Sequence, residues 1–137
     1  MKLKKRWPVL VLAGALLAAL AVQLNPILEA RIFVALHGEE LERAILEKDP
    51  PTLPVLQEGD FTTWTGEHTM EEFLLTARGS TYYGVYYSHD DVPLAFQNTS
   101  VKLTQNGHAY WVWTAEGDNH GATQRLREHW YYFEAHF

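Results

Sequence analysis

The 137-residue sequence contains no cysteine. This absence excludes disulfide bonds, thiolate nucleophiles, thiolate metal ligands and a lipid-modified cysteine as an anchor. A chain of this length can form one small domain and bury enough apolar surface to hold it together. We therefore expect a domain that is stabilised by packing alone.

Basic residues are few and unevenly placed. The chain has 11 Lys and Arg against 17 Asp and Glu, and four of the 11 lie in the first six positions. The remaining basic residues are scattered along an acidic chain. Because nucleic-acid binding depends on clustered Lys and Arg, we expect no nucleic-acid partner.

Motifs of enzymatic chemistry are also missing. The sequence has no nucleophile elbow, phosphate-binding loop or dinucleotide fingerprint. None of its seven histidines has the helical spacing of a zinc-binding pair. Ser88, His89 and Asp90 are adjacent in sequence, but catalytic triads are assembled from distant positions. We predict a non-enzymatic protein with no catalytic residue. The alternatives are a small secreted hydrolase that uses carboxylates and a structural subunit of a membrane complex.

A long apolar run follows the basic N-terminus. Residues 9–22 carry no polar side chain, and Gln23 is the only polar residue in positions 7–24. About 20 apolar residues are needed to cross a bilayer, so residues 1–24 are predicted to be a membrane anchor or a signal peptide cleaved near Ala21. Basic residues remain in the cytoplasm. We therefore expect a single-pass protein of the cell membrane whose bulk lies outside, or a secreted protein after cleavage.

Residues 25–49 have the pattern of an amphipathic helix. Asn25 and Pro26 are typical of an N-cap and a first helical position. Apolar residues then recur at spacings of three, four and seven, which predicts a stripe that packs on a sheet. Its members are Ile27, Ala30, Val34, Leu41, Ala44 and Ile45. Two prolines end the helix, and residues 50–59 are predicted to be a semi-rigid linker.

Residues 60–137 contain 16 of the 18 aromatic residues. Aromatic and β-branched residues between short turn signals favour antiparallel strands. Gly79-Ser80 and Asn106-Gly107 each predict a tight hairpin. The stretch 69–72 matches a helix-capping box but precedes an alternating pattern, and we interpret it as a turn. We predict an α+β fold: an apolar helix, an amphipathic helix and an antiparallel meander of about 4–6 strands.

The Asn106-Gly107 hairpin suggests a binding surface. A two-residue loop pairs Lys102 with Trp111 and places Trp111 and Trp113 on the same face as Lys102. Two interpretations are open: a loop half covers this face, or both indoles form an exposed platform that stacks on sugars or receives a peptide. The second predicts that Trp111, Trp113 and Lys102 bind a wall glycan or a partner protein.

The loop at 116–121 is similar to the start of a calcium-binding loop. Glu116 and Asp118 stand at alternate positions before a glycine, and Asp90 and Asp91 in another loop could add oxygen ligands if the loops meet. However, Arg127 occupies the position where such a loop has its bidentate glutamate. We expect ordinary turns and no cofactor, with a calcium ion at these four residues as the alternative.

Four stretches resemble small exported bacterial proteins with no assigned function. They are residues 82–88 (YYGVYYS), 90–94 (DDVPL), 117–119 (GDN) and 130–134 (WYYFE). The resemblance spans roughly residues 60–137 and implies export and a compact domain, without assigning an activity or a site. An apolar helix that leads into an antiparallel sheet is also similar in outline to type IV pilins, but their processing site needs a Gly and a Glu where this chain has Trp7-Pro8 and an uncharged run.

Overall fold

A computed structural model describes residues 7–49, 56–57 and 59–137. The predicted basic segment before residue 7 and most of the predicted linker lie outside these ranges. Two helices come first, and a set of strands follows. They are α1 (Trp7–Leu24), α2 (Pro26–Glu47), β1 (Phe61–Thr65), β2 (Thr69–Arg78), β3 (Thr81–Ser88), β4 (Thr104–Gln105), β5 (Tyr110–Thr114), β6 (His120–Arg127) and β7 (Trp130–His136).

All strands in the described ranges belong to one antiparallel sheet in the order β1-β2-β3-β7-β6-β5-β4. Hairpins join the consecutive strands from β1 through β3 and those from β4 through β7. β7 then pairs with β3 in the middle of the sheet. The connection at residues 89–103, which we call the cover loop, carries the chain from β3 to the far edge. The predicted α+β class is confirmed, and the seven strands slightly exceed the expected number.

Helix α2 covers one face of the sheet. Asn25 caps it, since Asn25 Oδ1 accepts a hydrogen bond of 3.2 Å from the Leu28 N–H, and Pro26 follows as predicted. The apolar stripe of α2 packs on aromatic residues of β2, β3 and β7. The buried members of this core are Ala30, Phe33, Val34, Leu41, Ile45, Phe73, Val85, Tyr87, Trp130 and Tyr132.

The cover loop lies over the opposite face. Its apolar residues pack on aromatic side chains, giving a second core of Met70, Tyr86, Leu94, Ala95, Phe96, Trp113, Tyr131, Phe133 and Ala135. The buried Tyr86 hydroxyl accepts the Leu94 N–H at 2.8 Å and bonds to the Thr123 hydroxyl at 2.7 Å. These bonds satisfy polar groups that burial would otherwise leave unpaired.

The predicted register of the fourth and fifth strands is wrong. Gln105 pairs with Trp111, so Lys102 lies before β4 and has no place in the ladder. The Asn106 N–H donates to the Tyr110 carbonyl at 2.9 Å, which leaves a three-residue loop instead of a two-residue one. Ala109 in this loop has φ of 55°, the left-handed conformation that such loops require.

Two other segments differ from expectation. The stretch at 69–72 begins β2 and is not a turn. β6, which the sequence pattern did not predict, lies between β5 and β7. A Cβ atom at Gly121 would lie 2.5 Å from the Trp113 ring, so this strand needs a residue without a side chain where the indole crosses it.

Helix α1 differs from the rest of the molecule in its exposure. Eight of its large apolar side chains are between 51% and 69% exposed. Within the described ranges, no helix taken alone has the length and apolar character of a membrane crossing. Pro8–Leu24 and Pro26–Glu47 meet that criterion only as a pair, with a bend of 104° between them.

Candidate functional site

A cavity of about 290 Å³ opens on the face that the cover loop crosses. It lies at the edge of the second core, where β1, β2 and β3 meet the turn at residues 95–98 of the cover loop. Among the residues that line it are Asp60, Thr62, Glu72, Tyr82, Phe96 and Phe137. Its volume is close to the lower limit of small-molecule sites, which begin at about 300 Å³.

Glu72 is the buried charged residue of this cavity. It stands on β2 between Thr62 of β1 and Tyr86 of β3, and its side chain is directed to the cover-loop face. The residue is only 4% exposed. Its Oε2 accepts the backbone N–H of Gln97 at 3.1 Å, and Gln97 presents that N–H from a left-handed conformation with φ of 54°.

Burial raises the pKa of Glu72 from 4.5 to about 7, because removal from water disfavours the charged carboxylate. The Gln97 N–H and the nearby Trp64 indole act in the opposite direction. The Trp64 Nε1–H is directed to this carboxyl but falls short of hydrogen-bond geometry, and it has no other partner among the described residues. A carboxyl whose pKa lies near 7 in a cavity marks a candidate functional group.

Three aromatic rings form one wall of the cavity. Tyr82 and Phe96 stack with 5.7 Å between their ring centroids, and Phe137 lies 5.8 Å from Tyr82 and 5.6 Å from Phe96. Asp60 adds a second carboxylate, of which Oδ2 accepts the Gln57 N–H at 2.9 Å. The cavity thus combines an apolar wall with two acidic groups, a composition that fixes the orientation of a small ligand.

The tryptophans of the predicted binding surface are buried or half-buried. Trp113 is 4% exposed and belongs to the core beneath the cover loop. Trp111 is half-buried on the same face, with its ring 6.3 Å from that of Tyr131. Lys102 is exposed in the cover loop. The interpretation that a loop covers these indoles agrees with this burial, while ligand binding by Trp111, Trp113 and Lys102 stays a prediction.

The four residues predicted to hold calcium are not brought together. Asp90 pairs with His68 and Asp91 with Arg125, beyond the end of β3. Glu116 and Asp118 lie in the turn between β5 and β6, at the opposite end of the strands. Across the ranges that the structure describes, no three His, Asp or Glu side chains are grouped to hold a metal ion.

A second polar cluster lies on the α2 face. The Thr81 hydroxyl is 3.1 Å from His136 Nδ1, and His136 Nε2 is 3.3 Å from Glu134 Oε1. The Tyr132 hydroxyl donates to Glu134 Oε2 at 3.0 Å, and the ring of His120 stacks on His136 with 4.7 Å between centroids. A hydroxyl, an imidazole and a carboxylate in this order occur in nucleophilic sites. Here they join neighbouring strand residues and do not line the Glu72 cavity.

Comparison with known proteins gives no match: no protein-family model, no curated protein and no solved structure is similar to this chain. The candidate site therefore stands on its geometry. Interpretation of the stretch at 69–72 as a turn leaves Glu72 out of the predicted strands. The available signal is the two-residue period of a strand, which places Glu72 on one face with the apolar residues Met70 and Leu74.

Proposed function

We propose that this protein is a binding module that α1 tethers to a membrane, with the folded domain outside the cytoplasm and a ligand held in the Glu72 cavity. The observation that carries the tether is the exposure of α1. Leu12, Leu17 and Leu24 are 63%, 68% and 69% exposed, although they belong to a helix without a single charge. Contiguous apolar surface of this kind marks a protein or membrane contact.

The apolar surface of this helix is more stable in a lipid bilayer than in water. Its transfer out of water contributes about 25 cal/mol of favourable free energy per Å². Arg78 donates a hydrogen bond to the Gln23 carbonyl, which ties the end of α1 to the domain. Lys2, Lys4, Lys5 and Arg6 precede α1, and basic residues of this kind stay on the cytoplasmic side. Together these features support an anchor that places the sheet outside.

The absence of cysteine allows the topology to be tested directly, because each introduced thiol is unique. S80C lies in the exposed β2–β3 turn, and L3C lies before α1. In intact cells we expect a membrane-impermeant maleimide to label S80C but not L3C, and expect both variants to remain in carbonate-washed membranes. Label on L3C alone, or full-length protein in the soluble fraction, would overturn the tether. A mass that lacks the first 21 residues would support the secreted alternative.

A second function is favoured by one observation. Glu72 and Asp60 line the same cavity beside aromatic rings, and paired carboxylates hydrolyse glycosidic bonds when one is protonated near neutral pH. A hydrolase would turn over aryl glycosides, and E72Q and D60N would each lower kcat by at least about 100-fold. Absence of turnover by the purified full-length protein, or activity that survives in both variants, would exclude it.

A further inference from the structure

The Glu72 cavity contains two carboxyl groups, those of Glu72 and Asp60, beside its aromatic wall. The titratable groups that face Glu72 are Asp60 and Tyr82, which line the cavity, and Tyr86, which is buried on the neighbouring strand. No Lys, Arg or His is found among the described residues that line it. Buried carboxylates in proteins are usually paired with a cation or coordinate one. Within the described part of the chain, Glu72 lacks such a partner.

One oxygen of Glu72 remains available. Oε2 accepts the Gln97 N–H, whereas Oε1 accepts no hydrogen bond from any described residue. The Trp64 Nε1–H is directed to the same carboxyl but has no hydrogen-bond partner among the described residues. A carboxyl that lines the cavity and has one oxygen without a donor among the described residues favours a ligand with a hydrogen-bond donor.

The aromatic wall adds a second preference. Tyr82, Phe96 and Phe137 line one side of the cavity, and Phe137 is 49% exposed. Aromatic rings attract cations and also contact the apolar faces of sugars or aryl groups. A volume of about 290 Å³ corresponds to about ten water molecules, which limits the ligand to about ten non-hydrogen atoms.

We propose that the Glu72 cavity binds a small organic ammonium ion, with the ammonium group at Glu72 Oε1 and the remaining atoms against the rings of Tyr82, Phe96 and Phe137. The inference rests on the proposed role of this cavity as a ligand site. Its chemistry is shared by amino sugars and by aryl or alkyl amines. Matched probes that differ only in the charged group separate these two sources.

The experiment is isothermal titration of the full-length protein in detergent micelles at pH 7. Glucosamine is compared with glucose, and benzylammonium with benzyl alcohol. In at least one pair we expect the ammonium member to bind at least about tenfold more tightly, which corresponds to about 1.4 kcal/mol. E72Q should abolish this preference. E71Q is the matched control, since Glu71 is also buried on β2 but belongs to the opposite face.

A second measurement does not depend on a variant. Lowering the pH from 8 to 5.5 protonates Glu72, so benzylammonium binding should weaken by about 30-fold in the unmodified protein. D60N shows whether Asp60 accounts for part of this change.

The outcomes separate the inference from the proposed function. If neutral and charged probes bind equally and E72Q weakens both, the cavity is a ligand site but not one for cations. If no probe binds up to about 10 mM, or if E72Q retains the preference, the ammonium proposal is overturned. Membrane labelling at S80C tests the tether independently of either result.

Discussion

Two neighbouring glutamates show how much the position of a single residue decides. Glu71 and Glu72 are adjacent on β2 and nearly fully buried, yet they face opposite sides of the sheet. Glu71 accepts a hydrogen bond from the Thr63 hydroxyl and lies 3.2 Å from His89 Nε2. Glu72 has one backbone donor and a cavity beside it. Glu71 therefore has a structural role through its side-chain partners, and Glu72 is the candidate ligand-binding residue.

The raised pKa of Glu72 predicts how stability depends on pH. The folded protein keeps a proton on Glu72 up to about pH 7, whereas the unfolded chain releases it near pH 4.5. The stability due to this group is therefore present below pH 4.5 and is lost as the pH rises to 7, by on the order of 3 kcal/mol. In urea unfolding at pH 4.5, 6 and 7.5, E72Q should gain stability relative to the unmodified protein as the pH rises.

E71Q controls for the loss of a buried carboxyl on the same strand outside the cavity, and its stability is measured at the same three pH values. Parallel pH curves for E72Q and the unmodified protein would show that the pKa of Glu72 does not differ between the folded and unfolded states.

The cover loop is the element on which the second core and the cavity depend. Asp91 holds it against β6 and β7: its Oδ1 accepts the His129 N–H at 2.8 Å and the Tyr131 hydroxyl at 3.1 Å, and its Oδ2 pairs with Arg125. Asp91 has φ of 52°, a conformation that Asp and Asn tolerate better than Ala. One side chain therefore contributes to both the conformation of the loop and its position.

D91A should lower the free energy of unfolding by about 2–4 kcal/mol, because it leaves half-buried donors unpaired and strains the backbone. D91N retains an acceptor and the backbone preference, so it should lie between D91A and the unmodified protein. Urea unfolding followed by tryptophan fluorescence measures both. D90A is the matched control: Asp90 is exposed and pairs only with His68, so its removal should change stability by less than about 0.5 kcal/mol. Equal losses for D91A and D90A would refute this role for Asp91.

Local signals predicted the elements that are decided locally. Gly79-Ser80 forms the expected two-residue turn, with Gly79 at φ of 62°, and the strands beside it have the expected pairing of Arg78 with Thr81. Asn106-Gly107 marked a hairpin correctly but not its length, because Ala109 adopts an unusual left-handed conformation. Such a conformation has no sequence signature in an alanine. The resulting error in loop length shifted the predicted strand register and so gave the tryptophans the wrong pairing partners.

Features that depend on distant contacts were not visible in the sequence. β6 has the small residues Gly121 and Ala122 where an isolated strand would have larger ones, since the Trp113 indole fills the space above Gly121. The burial of Glu72 depends on the turn of the cover loop that brings Gln97 to it from 25 positions away. Periodicity within a strand reports which residues share a face, but not which loop covers that face.

At the scale of the whole molecule, α2 and the sheet share one core. The sequence pattern predicts a helix at 25–49 whose apolar stripe packs on a sheet, a linker at 50–59 and a β domain at 60–137. The buried residues of α2 lie in a single core with residues of β2, β3 and β7. Phe33 contacts the ring of Phe73 at 6.4 Å between centroids, and Phe73 in turn lies 5.9 Å from Trp130. Without α2, these aromatic side chains would be exposed on a face of the sheet.

This shared core predicts how the chain responds to truncation. Residues 25–137 should unfold cooperatively, because removal of α1 exposes no part of either core. Residues 60–137 should aggregate or remain unfolded. They lose the residues that bury several large side chains. Burial of each such side chain contributes about 1.5–3 kcal/mol, so the summed loss approaches the whole stability of a small domain, about 5–15 kcal/mol.

Thermal melts by circular dichroism and amide dispersion in NMR spectra distinguish the two truncated forms. F33A within residues 25–137 serves as a graded control: loss of this ring from the centre of the α2 core should cost about 3–5 kcal/mol without removing the helix. A cooperative melt of residues 60–137, with stability close to that of residues 25–137, would mean that the sheet does not need α2. The helix would then be free to move with α1 at the membrane while the cover loop and the Glu72 cavity stayed folded.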